Sequence, residues 1–320
     1  MNKKNVMIKR QQAFTNKSIK MLKGALHSHT TRSDGVNTPE YSIKYHYDHG
    51  YDFMVISDHS KYNMRDDFCP DIPLTIVPGT ESGALVRVGQ GLRDYDALCL
   101  GPTDGLPSPY VQDQHLSSPC VLESLDEYQA YLDEFHSNNM ITCICHPMRS
   151  FTPPRYLDCL KGLFGIEIYN NGSSIEHDFD SDAQYWDELL DSGMRLYGVA
   201  TDDDHGDYYS CGGWVMVKSE NNAGAILNAL KNGEFYSSCG PEIYDFYIDS
   251  NKVVVDCSPV DTIYLHCAKH PNDRVFNPGG EITHGVLSID DSFPYVRISV
   301  IDKNGKKAWT NPIFLDQPMS

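Results

Sequence analysis

"KGALHSHTTRSDGVNTPEYSIKYHYDHGYDFMVISDHS", residues 23–60, holds one strand–helix–strand unit with polar, metal-capable side chains at both strand ends. "KGALHSH" reads as a strand, and residues two apart on a strand point to the same face. His27 and His29 therefore converge on one point. Thr38 as N-cap, Pro39 at the first helical position and Gly50 just past the end bracket a helix. "DFMVIS" (52–57) is the short apolar run of a buried strand, and Asp58 and His59 come directly after it. A His-x-His pair alone is a weak pattern, balanced by the reading of two solvated histidines. The rest of the chain decides between them.

Working outward, strand and helix signals keep alternating. "LTIVPG" (74–79) and "MITCIC" read as strands, and a helix capped by Ser124 lies between them. "FGIEIYN" and "RLYGVA" are further strands, separated by a helix near 181–192. "AGAILNALKNG" is a last helix that ends at Gly233. Such alternation predicts an α/β fold, a parallel sheet with helices outside it, open or closed as a barrel. From about residue 242 only strands are expected, with Asn304-Gly305 as a hairpin turn. The predicted division is a leader over 1–20, a unit over 21–241 and a small all-β domain over 242–320.

Composition narrows the function. The 320 residues carry 44 acidic and 26 basic side chains, a formal charge of −18, against the clustered Lys and Arg that nucleic acid requires. No apolar run is long enough for a membrane span or a signal peptide, which predicts a cytoplasmic protein with no membrane partner. The ten cysteines are then expected as reduced thiols, Cys143 and Cys145 among them as buried residues.

The residues with chemistry to offer cluster at the strand ends. The first strand leads to His27 and His29 with Asp34 in the loop behind, the second to Asp58 and His59, the third to Glu81. "ITCICHP" ends in His146 and "RLYGVATDDDHG" in Asp203 and His205. In a parallel βα architecture these ends gather at one face, where active sites sit. Converging carboxylates at Asp34, Glu81 and Asp203 would repel by roughly 4 kcal/mol per close pair. Two or three divalent cations would reverse that balance, and mixed His and carboxylate ligands suit Zn, Mn or Fe.

The ordered set "HSHTTRSDG", "ISDHS", "GTE", "CHP" and "TDDDH" resembles the successive motifs of the PHP (polymerase and histidinol phosphatase) superfamily, over roughly residues 22–241. "NGEFYSSCGP" and "AWTNPIF" resemble its carbaryl-hydrolase-like branch, which carries a β extension. The resemblance implies a distorted seven-stranded (β/α) barrel with a trinuclear metal site. It implies a first metal on His27, His29, Glu81 and Asp203, with Glu81 bridging to a second that also uses His146, and a third on Asp34, His59 and His205. Where many members have a histidine, "YDALCLG" has Asp96, taken as a further candidate ligand.

Arg149, three residues past His146, is a candidate phosphate clamp with a surface salt bridge as its alternative; Arg32 and Lys61 are weaker candidates. Asn170 and Asn171 are placed at the substrate or in a turn. Asp58 and Asp202 are expected to orient ligand histidines. His46 and His49 are read as surface residues, His115, His136 and His177 as solvated, and His266, His270 and His284 as remote from the site.

The leading expectation is a metal-dependent phosphoesterase acting on a small phosphoester, in which a metal-bridging hydroxide attacks phosphorus, Arg149 steadies charge and His205 or a water protonates the leaving group. The first alternative is hydrolysis of a carbamate, ester or amide. The second is a non-catalytic metal-binding module.

Overall fold

The computed structural model describes residues 11–12, 20–64, 69–112, 114–116, 118–179, 181–268, 273–289 and 292–315. Three strands lie parallel in register, Met21–Ala25, Phe53–Met54 and Thr75–Ile76. A second parallel trio comprises Ile141–Ile144, Leu163–Asn170 and Tyr197–Thr201. The fold is mixed α/β.

The helices begin where local chemistry says they should. Thr38 accepts from the Tyr41 amide to start Pro39–Asp48, and Ser124 accepts from the Glu127 amide to start Leu125–Ser137. Each cap satisfies a donor that the first turn leaves orphaned. Ala183–Asp191 buries Trp186 completely.

The third strand differs from expectation. It stops at Ile76, and after Pro78 a new ten-residue strand, Gly79–Val88, turns at Gly89 (φ 60°) into the antiparallel strand Gly91–Leu100. Pro78 has no N–H for the ladder, so pairing is interrupted there. Glu81 consequently sits near the start of a long hairpin rather than at a strand's end. The hairpin joins the second trio through Ala97 opposite Ile144. Hydrogen bonding places the two trios in separate sheets. At their C-terminal ends the isolated bridges Ser28–Asp204 and His59–Glu81 tie them together.

After the helix Ala223–Lys231 every described element is a strand. Phe235–Ser238 pairs on one side with Trp214–Lys218, which pairs with Met21–Ala25, and on the other with Lys307–Thr310. One ten-stranded sheet therefore runs from the first parallel trio into the C-terminal strands. Asn304-Gly305 makes the expected turn, the Gly305 amide donating to the Asp302 carbonyl with φ 78°. Of the expected leader, Gln11–Gln12 and Lys20 are described, and Gln11–Gln12 pairs with Ile243–Asp249. None of the described helices is long and apolar enough to cross a membrane. All ten cysteines are free thiols.

Candidate metal centre

The C-terminal ends of the two trios and the start of the hairpin bring His27, His29, Glu81, His146 and Asp203 together, all buried. Nε2 of His27 and Nε2 of His29 are 3.0 Å apart, and each lies 3.2 Å from Glu81 Oε2 and 3.2 Å from Asp203 Oδ1. His59 Nδ1 approaches Glu81 Oε2 at 3.0 Å from a third side. Although three imidazole nitrogens surround it, Oε2 of Glu81 has no hydrogen-bond partner. His146 Nε2 meets the other oxygen, Oε1, at 3.3 Å.

A second group lies further out. Asp34 Oδ2 is 3.4 Å from His205 Nε2 and 3.5 Å from His59 Nε2, while Oδ1 is 3.6 Å from His29 Nδ1. His29 thus faces both groups with its two ring nitrogens. Asp34 is about half exposed, so this group opens to solvent where the first does not.

The proton count explains the first group. His27 Nδ1 lies 2.7 Å from Glu167 Oε1; an ionised carboxylate only accepts, so Nδ1 carries the hydrogen. In the neutral ring, Nε2 is then a lone pair directed at two carboxylate oxygens. Such convergence is repulsive unless a positive charge sits among the atoms. With protons as the only positive charges, burial lowers the imidazole pKa values, but the surrounding carboxylates overcome it. His27 is raised well above its usual value and His29 to about 10. Burial works against Glu81 and Asp203 in turn, and the imidazoles outweigh it, holding both far below the normal carboxylate range. Protons here do what a divalent ion would do with fewer charges displaced. The donor set fits such an ion.

Glu167 is the residue that sequence reasoning missed. Fully buried, it accepts from His27 and Thr201 through Oε1, and from the His146 amide and Asn170 through Oε2. A glutamate inside the all-buried strand "LFGIEIYN" was the available signal, because a charge in an apolar run must be paired. Two residues of this cluster also sit in the left-handed region, His146 at φ 25° and Asp203 at φ 53°. Such strain is retained where surrounding structure fixes a side chain's aim.

Several expectations need correction. Neither Asp58 nor Asp202 bonds a histidine directly; Asp58 reaches His29 only through Ser33, whose hydroxyl lies 3.4 Å from His29 Nδ1. Asp58 accepts from the Thr30 amide and hydroxyl and from Ser33, fixing the loop behind His29. Asp202 accepts from the amides of Cys211, Gly212 and Gly213. Asp96 joins neither group of ligand atoms. It lies opposite Gly83, where a Cβ would sit 1.9 Å from Asp96 Oδ1, so the glycine makes room for the carboxylate. Burial, then Glu81, pushes Asp96 up to about 7.

Asn170 donates to Glu167 and Asp203 and caps the helix Asn171–His177 by accepting from the Ser173 amide. Its polar atoms are thereby committed to the scaffold. Asn171 is likewise engaged, with Tyr169 and the Tyr209 carbonyl. Lys61 donates to the Arg32 carbonyl. His46 is fully buried, not on the surface, because its ring packs on Tyr51 and Nδ1 bonds the Ser42 carbonyl. His136 is part-buried against Thr142 and His266 against Ser299, whereas His49, His115, His177 and His284 are exposed. His270 lies outside the described residues. Cys143 is buried as expected, and so is Cys145, whose sulfur comes within ligand range of Glu81 and His146.

Beside the ligand groups lies a cavity of about 250 Å³ lined by Arg149, Gly172, Glu176, Asp203, His205 and Tyr209. Arg149 Nη1 donates to Asp203 Oδ2 at 2.9 Å and remains 37% exposed at the wall. His205 Nδ1 bonds the Asp203 carbonyl, leaving Nε2 toward Asp34.

No protein-family model matches the chain, and no curated protein matches it. Among solved structures it is similar to a two-domain protein containing a predicted PHP-like metal-dependent phosphoesterase from Bacteroides vulgatus, with 13% identity, a TM-score of 0.48, and coverage of 98% of this chain and 100% of that one. A proposed metal-dependent phosphoesterase from Bifidobacterium adolescentis is 15% identical at a TM-score of 0.40, covering 57% of this chain and 87% of that one. An amidohydrolase from Chromobacterium violaceum with bound sulfate and no metal is 13% identical at 0.39, again over 57% and 87%. None of the three is described as belonging to a carbaryl-hydrolase branch. Identities of 13–15% and TM-scores below 0.5 carry no argument about this chain's chemistry, which rests on its own side chains.

Proposed function

We propose that this chain is a metal-dependent hydrolase acting on a small phosphoester. The observation that carries the reading is Glu81 Oε2, buried among three imidazole nitrogens at 3.0–3.2 Å without a hydrogen bond. His27, His29, Glu81 and Asp203 would hold one divalent ion. Asp34, His59 and His205 would hold another, and His146 with Glu81 would serve a further one. Bound ions of the Zn, Mn or Fe class would supply a water of lowered pKa and polarise the phosphoryl oxygens.

The chain's own residues prepare the rest. Glu167 keeps the proton on His27 Nδ1 and so leaves the Nε2 lone pair facing the site. Asn170 and Arg149 occupy Asp203 Oδ2, which leaves Oδ1 toward the histidines. The exposed part of the Arg149 guanidinium would bind an anionic substrate oxygen. With His205 Nε2 turned to the ion and Nδ1 to the Asp203 carbonyl, a water in the cavity would carry the proton destined for the leaving alkoxide. The same reading takes residues 21–241 as a distorted seven-stranded barrel of PHP type and 242–320 as its all-β addition.

Hydrolysis of a carbamate, ester or amide is the second reading. One observation favours it: the single guanidinium in the cavity wall is already paired with Asp203, and Glu176 adds negative charge beside it. Purified protein loaded with Mn or Zn and offered phosphomonoesters, phosphodiesters, carbamates and carboxyl esters separates the two. Phosphoester turnover with competitive inhibition by inorganic phosphate is expected. Carbonyl turnover without phosphate inhibition replaces the first reading with the second, and metal binding without turnover leaves a binding module.

A further inference from the structure

Two residues of the cavity wall begin a run of exposed and half-exposed side chains that ion binding and bond cleavage leave unused. Glu176 and Tyr209 line the cavity, and the Tyr209 hydroxyl donates to Glu176 Oε1 at 3.0 Å. From Tyr209 the run continues to Tyr208, ring centroids 5.4 Å apart. In the other direction His177 Nε2 lies 3.6 Å from Glu176 Oε2, the His177 ring 5.9 Å from Phe179, and Phe179 6.5 Å from Phe151. Contacts are thus unbroken from Phe151 to Tyr208, with one carboxylate in the middle.

Both ends of this strip are costly. Tyr208 is 77% and Phe151 69% exposed, and Phe151 holds φ at 50°, a region that bulky residues enter only under strain. Large rings left in water at both ends of a run that reaches a cavity gain nothing from folding. Exposed ring faces can pack against the face of a substrate ring, and a carboxylate fixed between them accepts from hydroxyls. Its charge also disfavours a second anionic group.

We infer that this strip is a leaving-group subsite, which selects phosphoesters of hydroxylated ring alcohols over acyclic or additionally anionic ones. The cleaved bond rests on the phosphoester reading above; the ring recognition does not. In the cleavage, water's oxygen bonds to phosphorus, the ester P–O bond breaks, and the ring alcohol departs carrying a proton from that water.

The test compares kcat/KM of the Mn-loaded full-length protein on glucose 6-phosphate, cyclohexyl phosphate and glycerol 3-phosphate. Glucose 6-phosphate should exceed glycerol 3-phosphate by about tenfold. Tyr208→Ala and Phe151→Ala should each cut both ring esters by about fivefold and leave glycerol 3-phosphate unchanged. Glu176→Gln should lower glucose 6-phosphate alone. Equal rates on the three esters, or losses shared equally among them, overturn the inference. If no phosphoester is cleaved, binding of methyl glucoside followed by tyrosine fluorescence decides. Saturable binding that is lost in Tyr208→Ala supports the subsite while the phosphoester reading falls, and no binding removes both.

Discussion

His27 owes its useful tautomer to a carboxylate 140 positions further along the chain. The imidazole itself was legible, since a His-x-His at a strand's end puts two rings on one face. Its partner was not, because Glu167 pairs across strands and the sequence alone shows no such contact. Asp58 and Asp202 looked better placed for that work by adjacency, yet adjacency along an extended chain points neighbouring side chains in different directions. Glu167→Ala should therefore weaken metal binding by about 10- to 100-fold, measured by chelator competition. Asp58→Asn should lower thermal stability with a much smaller effect on affinity. Equal losses in both would mean that loop order, rather than the His27 tautomer, sets affinity. For Asp96, which joins neither ligand group, Asp96→Asn should leave the number of bound metal equivalents unchanged by elemental analysis. Loss of one equivalent would restore it as a ligand.

At the scale of the element, helices announced themselves through their caps. Thr38, Ser124 and the glycines after helix ends are short-range signals, and they stand where the chain alone put them. The hairpin over 79–100 was less legible, because its register depends on a break at Pro78 that only pairing partners reveal. The helix Asn171–His177 hid for another reason: seven residues, with Ile175 its one large apolar side chain, leave no apolar stripe to read. It matters all the same, because its N-cap Asn170 ties the helix to both Glu167 and Asp203. Asn170→Ala removes a cap worth about 1 kcal/mol and also takes away one of the two donors on Asp203 Oδ2, leaving Arg149. We expect a fall in Tm of about 3 °C together with weakened metal affinity. Asn170→Ser should recover the Tm, since serine caps well, without recovering the affinity. If serine restores both, the amide's reach to Asp203 is irrelevant.

For the whole molecule, the C-terminal strands were readable as strands, but not their place in a sheet that also holds Met21–Ala25. Strand order is a non-local property, and period-2 patterning says nothing of which edge a strand joins. Ending the chain at Pro241 would strip Lys307–Thr310 from Phe235–Ser238 and open that edge. It would also remove Asn311, whose side chain accepts from the Gly198 amide. Such an edge invites aggregation, so the truncated chain should be insoluble; a monodisperse, metal-binding product would show that 21–241 folds alone. The same joint contains a part-buried ion pair that gives the molecule a pH dependence. Arg297, 1% exposed, meets Asp187 through Nε at 2.8 Å and through Nη2, and its guanidinium lies 4.5 Å from the Trp186 ring. Burial raises the Asp187 carboxyl, but His266 and Arg297 outweigh it and hold it below its usual value. A depressed carboxyl contributes stability above its unfolded pKa of about 4 and loses it as pH falls through the lower folded value. Asp187→Asn strands a buried guanidinium at neutral pH, a loss of about 3 kcal/mol. At pH 7 its Tm should lie well below that of the unaltered chain, and the gap should narrow at pH 3, which lies below the unfolded pKa and nearer the lowered folded one. A gap that stays constant between the two pH values would mean that the contact acts through packing against Trp186, not through charge.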